Sequence, residues 1–518
     1  MKKNVLMLVV SVGICSCLFL SVSNLSGSVL EQTLDRMPEE CGCWEKQSGF
    51  TDSFGKMYSV MSQPIDCTQL PVMQPSYPLR ELPAEFSWLD VDSMDWTTKA
   101  KNQGNCGSCW DFAALGALES RIKICEQCSL LQPDLSEQYV LSCLPAAANY
   151  YGQGCLGGNP YNAYYCIMDT GEEGNYVNGI VLESCFPYQA SHLVPCDDKC
   201  EDWMEYLVPL VDCDQTFLGL GYATEENTVL LKARLYEEGP LAVGVNVTQE
   251  FISFWSSHHD PLDYYPDTHE PWGNRLNHLV VLVGWKDDVG IANGGYWIVK
   301  NSWGTDWGYD GFFNLEYYGL FFGMFYAAAM YDPESVNWAP IADAGGVYTG
   351  DVNENISFNG TGSVDPEDAL VSFIWDFGDT TTGEGPIPVH RYMENGVYTA
   401  TITVMDDVGN TDSATAVVGV GVEPLGIDAT GIMGVDICIE NTAEVTLTNL
   451  EWSVLCTGLV MAQDASGTIP LLANKQVYTA HIPLLGLGFG TLTVAVESIQ
   501  HIERFFVLGP MVFGLRFQ

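Results

Sequence analysis

Residues 103–110 read Gln-Gly-Asn-Cys-Gly-Ser-Cys-Trp and lead directly into an apolar pattern in which Leu115, Leu118 and Ile122 recur at helical spacing. No proline interrupts the run as far as Lys123. The spacing predicts a helix with its N-terminus at or near Cys109. The unpaired N–H groups and the dipole at such a terminus favour a thiolate, so Cys109 is a candidate nucleophile. On its own the octapeptide fits two structural cysteines or a redox Cys-x-x-Cys equally well. Two further segments have to be read with it.

The first, Leu-Asn-His-Leu-Val-Val-Leu-Val-Gly-Trp over 276–285, reads as a buried strand with His278 near its start. The second, Tyr-Trp-Ile-Val-Lys-Asn-Ser-Trp-Gly over 296–304, reads as another strand that delivers Asn301. The connection between them is rich in Gly, Asp and Asn, so the two are expected to pair antiparallel and to set His278 beside Asn301. A lone histidine on an apolar strand is more often a core residue, and an Asn after a strand more often a turn former. Cys, His and Asn in these three contexts and in this order point to nucleophilic catalysis instead.

On these motifs, residues 82–331 resemble the papain family of cysteine proteases, whose signature is Cys-Gly-[Ser/Ala]-Cys-[Trp/Tyr] with His and Asn downstream. The resemblance implies an α+β, two-lobed peptidase domain, one lobe helical and the other β-barrel-like. It implies Cys109 as nucleophile, His278 as base and acid, and Asn301 as the group that orients the imidazole. Gln103 and the Cys109 N–H would form the oxyanion hole, and losing one such donor costs about 2.7–4 kcal/mol. It further implies a resting thiolate–imidazolium pair, substrate contacts from Gly157, Gly158 and Asn277, and a shielding and substrate-contacting role for Trp303. Disulfides Cys106–Cys155 and Cys143–Cys196 follow by the same resemblance, and no cofactor or metal does.

Two departures stand out. Cys109 and His278 lie 169 positions apart, against the ~130–150 of the family. The excess falls in residues 185–213 and 254–272. Phe322 stands where the family has a cysteine, and counting on from it puts Ala327 at the floor of the main specificity pocket. That small uncharged floor implies a preference for Leu, Val or Phe.

Around this domain the chain divides as follows. Residues 1–27 read as a signal peptide, two lysines and then an apolar run to Leu20 that is short for a membrane span. Cys17 matches a lipid-anchor site poorly. Residues 28–81, with Cys41, Cys43 and Cys67, occupy the place of a pro-region, and the peptidase domain spans 82–333. Eleven of the 18 cysteines lie between Cys106 and Cys213, a density that belongs to an oxidising compartment. Setting Cys109 aside leaves an even number. The pairing of Cys125, Cys128, Cys166, Cys185, Cys200 and Cys213 stays open, and a zinc site at Cys125-x-x-Cys128 lacks a second pair.

Residues 337–422 show alternating strands around Trp-Asp-Phe-Gly-Asp (375–379) and resemble a PKD domain, a small β-sandwich with His390 as a structural histidine. Asp365, Asp376 and Asp379 suit turn capping better than calcium binding. Residues 423–518 read as a further all-β module with strands near 445–448, 490–497 and 505–508, and Cys438 and Cys456 are placed for a disulfide. A net charge of −46 argues against nucleic acid and anionic membranes. The expectation is a secreted or surface-attached cysteine endopeptidase, monomeric, acting on protein or peptide substrates. Its β modules would be free to bind cell surface, glycan or protein. The alternative is an adhesion protein whose papain-like domain binds peptides without cleaving them.

Overall fold

The computed structural model describes residues 48–52, 56–61, 65–66, 82–143, 154–168, 178–217, 225–266, 275–322, 325–367, 369–422, 424–430, 435–442, 447–462, 465–473, 475–482, 484–496, 499–509 and 511–513. The proposed leader, with Cys17, and Cys41, Cys43 and Cys67 lie outside them. The chain forms two compact units, 1–336 and 337–518.

The first unit is built on α1 (Cys109–Cys125), which packs against strands β6 (Leu241–Val245), β8 (His278–Asp287) and β11 (Phe325–Met330). It also meets helices α2 (Glu137–Cys143) and α3 (Pro160–Met168). Because it is enclosed, α1 buries Asp111, Glu119 and Lys123 as well as its apolar stripe. It ends with Gln127 in the left-handed region and the Cys128 N–H on the Lys123 carbonyl, which satisfies an orphan carbonyl of the last turn.

The sheet beside α1 runs β10–β9–β8–β6–β11–β5, with β9 Gly295–Lys300, β10 Phe312–Glu316 and β5 Asp212–Phe217, and β4 (Glu85–Ser87) also pairs with β8. Strand β8 is apolar in both alternating sets because both faces are covered. Val281 meets α1 at Gly116, and Val280 and Leu282 join a core with Trp297, Val299, Phe313 and Leu315. Each such fully buried side chain contributes about 1.5–3 kcal/mol. Helix α4 (Glu225–Glu238) precedes β6, and α5 (Gln249–Trp255) follows it, capped by Thr248 accepting from the Phe251 N–H. Phe322, at the place of the missing cysteine, is buried in this core against Trp297.

Disulfides join Cys106 to Cys155, Cys143 to Cys196 and Cys185 to Cys200. Cys125 and Cys128 are free thiols, so the even count does not translate into complete pairing. A hairpin of β1 (Ser48–Thr51) and β2 (Met57–Val60), and a short strand β3 (Ile65–Asp66) paired with β7 (Arg275–Leu276), lie on this unit from its N-terminal side. No periodicity in the sequence marks them.

In the second unit, β12 (Tyr348–Gly350), β18 (Thr411–Val420), β17 (Gly396–Met405), β14 (Ser372–Asp376) and β15 (Thr382–Glu384) form one sheet in that order. β13 (Ile356–Ser357) and β16 (Val389–His390) form another. Phe358, Trp375, Phe377, Tyr392 and Ile402 fill the space between. Asp365, Asp376 and Asp379 each accept main-chain N–H groups of their own turns, and Asp379 holds His390 at 2.8 Å.

The remaining strands are longer than the sequence suggested. β19 (Leu425–Thr430), β20 (Val435–Asn441) and β23 (Val477–Ile482) form one sheet. β22 (Ala465–Leu472), β21 (Leu447–Ala462), β24 (Leu484–Val496), β25 (Ile499–Gly509) and β26 (Met511–Phe513) form a second. Val347 and Val417 of the preceding domain belong to their core. Cys438 is a free thiol, so the expected Cys438–Cys456 bond is not formed. Cys438 alternates with the buried Ile437 and Ile439 and so lies on the outer face of its sheet.

Candidate active site

Cys109 is the first residue of α1. Ser108, before it, caps nothing with its side chain; its Oγ shares a 2.7 Å hydrogen bond with the Tyr188 hydroxyl, which also donates to the Gln103 carbonyl. Cys106–Cys155 and the Gly107 N–H on the Cys155 carbonyl tie the loop before α1 to the 154–158 turn. That turn wraps Trp110, whose Nε1 donates to the Gly154 carbonyl. Gly157 has φ +140°, a region that favours glycine. A Cβ on Gly158 would come within 2.3 Å of the Trp110 ring.

On the opposite lobe, β8 and β9 pair antiparallel, and His278 Nε2 lies 2.8 Å from Asn301 Oδ1. Trp303 stacks on the imidazole at 4.6 Å and shields this contact. The loop before α1 is sewn to this lobe: the Gln103 N–H donates to the Ser302 carbonyl, and Ser302 Oγ to Gln103 Oε1 at 2.7 Å. The Asn277 side chain is held by Val247, which leaves its main-chain carbonyl to face the site. The sequence-derived Cys109, Gln103, Asn277, His278, Asn301 and Trp303 therefore converge. Ala327 is fully buried in β11 opposite Ala242.

The sequence did not reveal that residues 57–61 lie across this arrangement. The Ser59 carbonyl accepts from Gln103 Nε2 at 3.3 Å and from Trp303 Nε1 at 3.2 Å. The Met61 N–H donates to the Asn277 carbonyl at 2.9 Å. Tyr58 packs on Trp303 and Trp307, with ring centroids 5.2 and 6.4 Å apart. Polar groups of Gln103, Trp303 and Asn277 are thus met by the main chain of Ser59 and Met61. The only local hint was one aromatic in Met-Tyr-Ser-Val-Met. Tyr188 was likewise invisible, since its partners are 80 and 85 positions away.

This cover sets the electrostatics. Cys109 and His278 are both fully buried. Burial pushes the thiol up to about 12, against the N–H groups of Leu279, Trp110 and Met61, which pull it down. Burial pushes the imidazole down to about 4, against its bond to Asn301. In the covered chain burial thus works against the thiolate–imidazolium pair expected from sequence, raising the thiol and lowering the imidazole.

Behind α1, Lys101 lies 2.7 Å from Glu119, 2.7 Å from Asp134 and 3.0 Å from Glu137. One lysine cannot neutralise three carboxylates. Glu119 stays below its ordinary value, while burial takes Glu137 up to about 8. Asp111, two residues after Cys109, is fully buried with neither oxygen hydrogen-bonded among the described residues, and burial holds it well above the carboxylate range.

A family model described as papain family cysteine protease matches residues 82–319, and a PKD domain model matches 337–422. The viral cathepsin of Choristoneura fumiferana defective polyhedrosis virus is 33% identical over 235 residues, covering 45% of this chain and 59% of that protein. Pro-cathepsin H of Bos taurus is 32% identical over 232 residues, 43% of this chain and 59% of that one. A digestive procathepsin L2 proteinase from Tenebrio molitor larval midgut shares 27% identity over 48% of this chain and 69% of its own, with a TM-score of 0.38. The chain spans about 59% of the length of the curated relatives it matches. Residues 82–319 are thus similar to the papain family of cysteine proteases, and residues 337–422 to the PKD domain.

Proposed function

We propose that this chain is an exported cysteine endopeptidase made as a latent precursor, with Cys109 as nucleophile and His278 as its base and acid. Asn301 orients the imidazole, and Gln103 with the Cys109 N–H receives the developing oxyanion. Gly157, Gly158 and the Asn277 carbonyl hold the substrate backbone, and Ala327 contributes a small apolar floor for the main subsite. The observation that carries this reading is the 2.8 Å His278–Asn301 contact under Trp303, in the lobe to which the Gln103 loop before Cys109 is sewn. The three disulfides among the described residues support an oxidising destination, and residues 28–81 are the segment to be removed, because 57–61 hold the place of a substrate.

Thioester formation then needs the cover to leave. Water readmitted to the site lets the thiol ionise beside a protonated imidazole. A thiol-directed peptide epoxide tests the reading. After limited proteolysis removes residues 28–81, the adduct should sit on Cys109 and abolish hydrolysis of a protein substrate. Full hydrolysis by a Cys109→Ala variant overturns it.

A further inference from the structure

We infer that the exported chain is N-glycosylated at Asn355 and Asn359, side by side on one edge of the PKD domain. This rests on the export reading above. Four Asn-x-Ser/Thr triplets occur in the sequence, at Asn24, Asn246, Asn355 and Asn359, and such a triplet is an acceptor only where the side chain reaches solvent. Asn24 lies in the proposed leader.

Strand β13 explains why the last two qualify. Ile356 and Phe358 are buried in the domain core, so the alternation turns Asn355, Ser357 and Asn359 outward, and all three are exposed. Four extended residues set the two asparagines about 13 Å apart on one face. Their carbonyl oxygens are already held. Asn355 Oδ1 accepts from Arg391 Nε and Nη2 at 3.1 and 2.9 Å. Asn359 Oδ1 accepts from the Thr361 N–H and Oγ1 at 3.1 and 2.7 Å. Neither Nδ2, the atom that would carry the sugar, has a hydrogen-bond partner among the described residues.

Asn246 makes the contrast within the same molecule. Its N–H is bound to the Leu320 carbonyl, Val247 is buried, and Thr248 Oγ1 is spent capping α5. That triplet is folded into the wall beside Asn277 and should stay bare.

The transfer takes a lipid-linked oligosaccharide phosphate as donor. Asparagine Nδ2 bonds to the first sugar carbon, that carbon's bond to the phosphate oxygen breaks, the lipid phosphate leaves, and Nδ2 gives up one proton. The glycans would flank the edge of β13 away from β16, which pairs with no other strand among the described residues, and would bar another chain from adding to it.

The test is export of the full chain from a host with N-linked glycosylation, followed by intact mass and glycopeptide mapping. Expected are two glycan masses, on the Asn355 and Asn359 peptides and not on Asn246. Each is removed by peptide-N-glycosidase with aspartate left behind. Asn355→Gln and Asn359→Gln each lose one glycan, and Ser357→Ala, which keeps Asn355, loses the same one as Asn355→Gln. An exported chain with both peptides bare overturns this inference alone. Retention in the cell with the N-terminus intact overturns the export reading and this inference with it.

Discussion

Gln103 shows how one side chain does several jobs. Its Oε1 accepts from Ser302 Oγ, and its Nε2 donates to the Cys106 carbonyl at 2.7 Å and reaches the Ser59 carbonyl. A donor already held on both sides loses little freedom when an oxyanion arrives. Gln103→Ala in the processed enzyme should therefore lower kcat about 10²–10³-fold with KM little changed, which steady-state kinetics on a peptide substrate will check. The residues that converge on the candidate site could be picked out in the sequence because they sit in short motifs of fixed residue types. Their protonation could not. The charge state depends on how much water reaches the sulfur, and that is decided by residues 57–61, some fifty positions upstream of Cys109.

At the level of elements, α1, β8 and β9 could be read from periodicity because each has to bury a stripe or a face in one place. The β1–β2 hairpin could not. It gains its stability from docking, chiefly Tyr58 on Trp303 and Trp307, and very little from its own sequence. Tyr58→Ala should cost about 3 kcal/mol of that docking, roughly a hundredfold in the docked-to-open ratio. The alkylation rate of Cys109 by iodoacetamide in the unprocessed chain should rise accordingly. An unchanged rate, with the fold intact by circular dichroism, would mean that Tyr58 does not hold the cover. The disulfide Cys185–Cys200 was open for a related reason: proximity arises from the path of 178–210, which no local pattern encodes.

For the molecule as a whole, the buried carboxylates behind α1 fix the direction of its pH dependence. Glu137 has a folded value of about 8 against an ordinary 4.5, so the fold binds this proton more tightly than the unfolded chain does. Its contribution is fully present below about 4.5 and is lost as pH rises towards 8. Asp111 acts in the same direction. Glu119, held low by Lys101, acts in the opposite one, and its contribution is lost only on further acidification. Lys300, lowered to about 8 by burial, is charged in both states below that pH and adds no slope there. His278, lowered to about 4 by burial, opposes the carboxylates below about 6.5, where the unfolded imidazole takes up a proton that the folded one does not; the Tm should therefore fall between pH 6.5 and pH 8, by about 2–4 °C for each kcal/mol lost. Glu137→Gln should flatten the fall, as scanning calorimetry across that range will show.

The docked hairpin also carries a consequence for time. A molecule whose nucleophile lies under its own main chain cannot make the first cut while closed, so the earliest product comes from the rare molecule that happens to be open. On the proposed function, each molecule so freed would cut its neighbours. The appearance of activity should show a lag followed by acceleration, and the lag should shorten with total protein concentration and vanish when a trace of processed enzyme is added at the start.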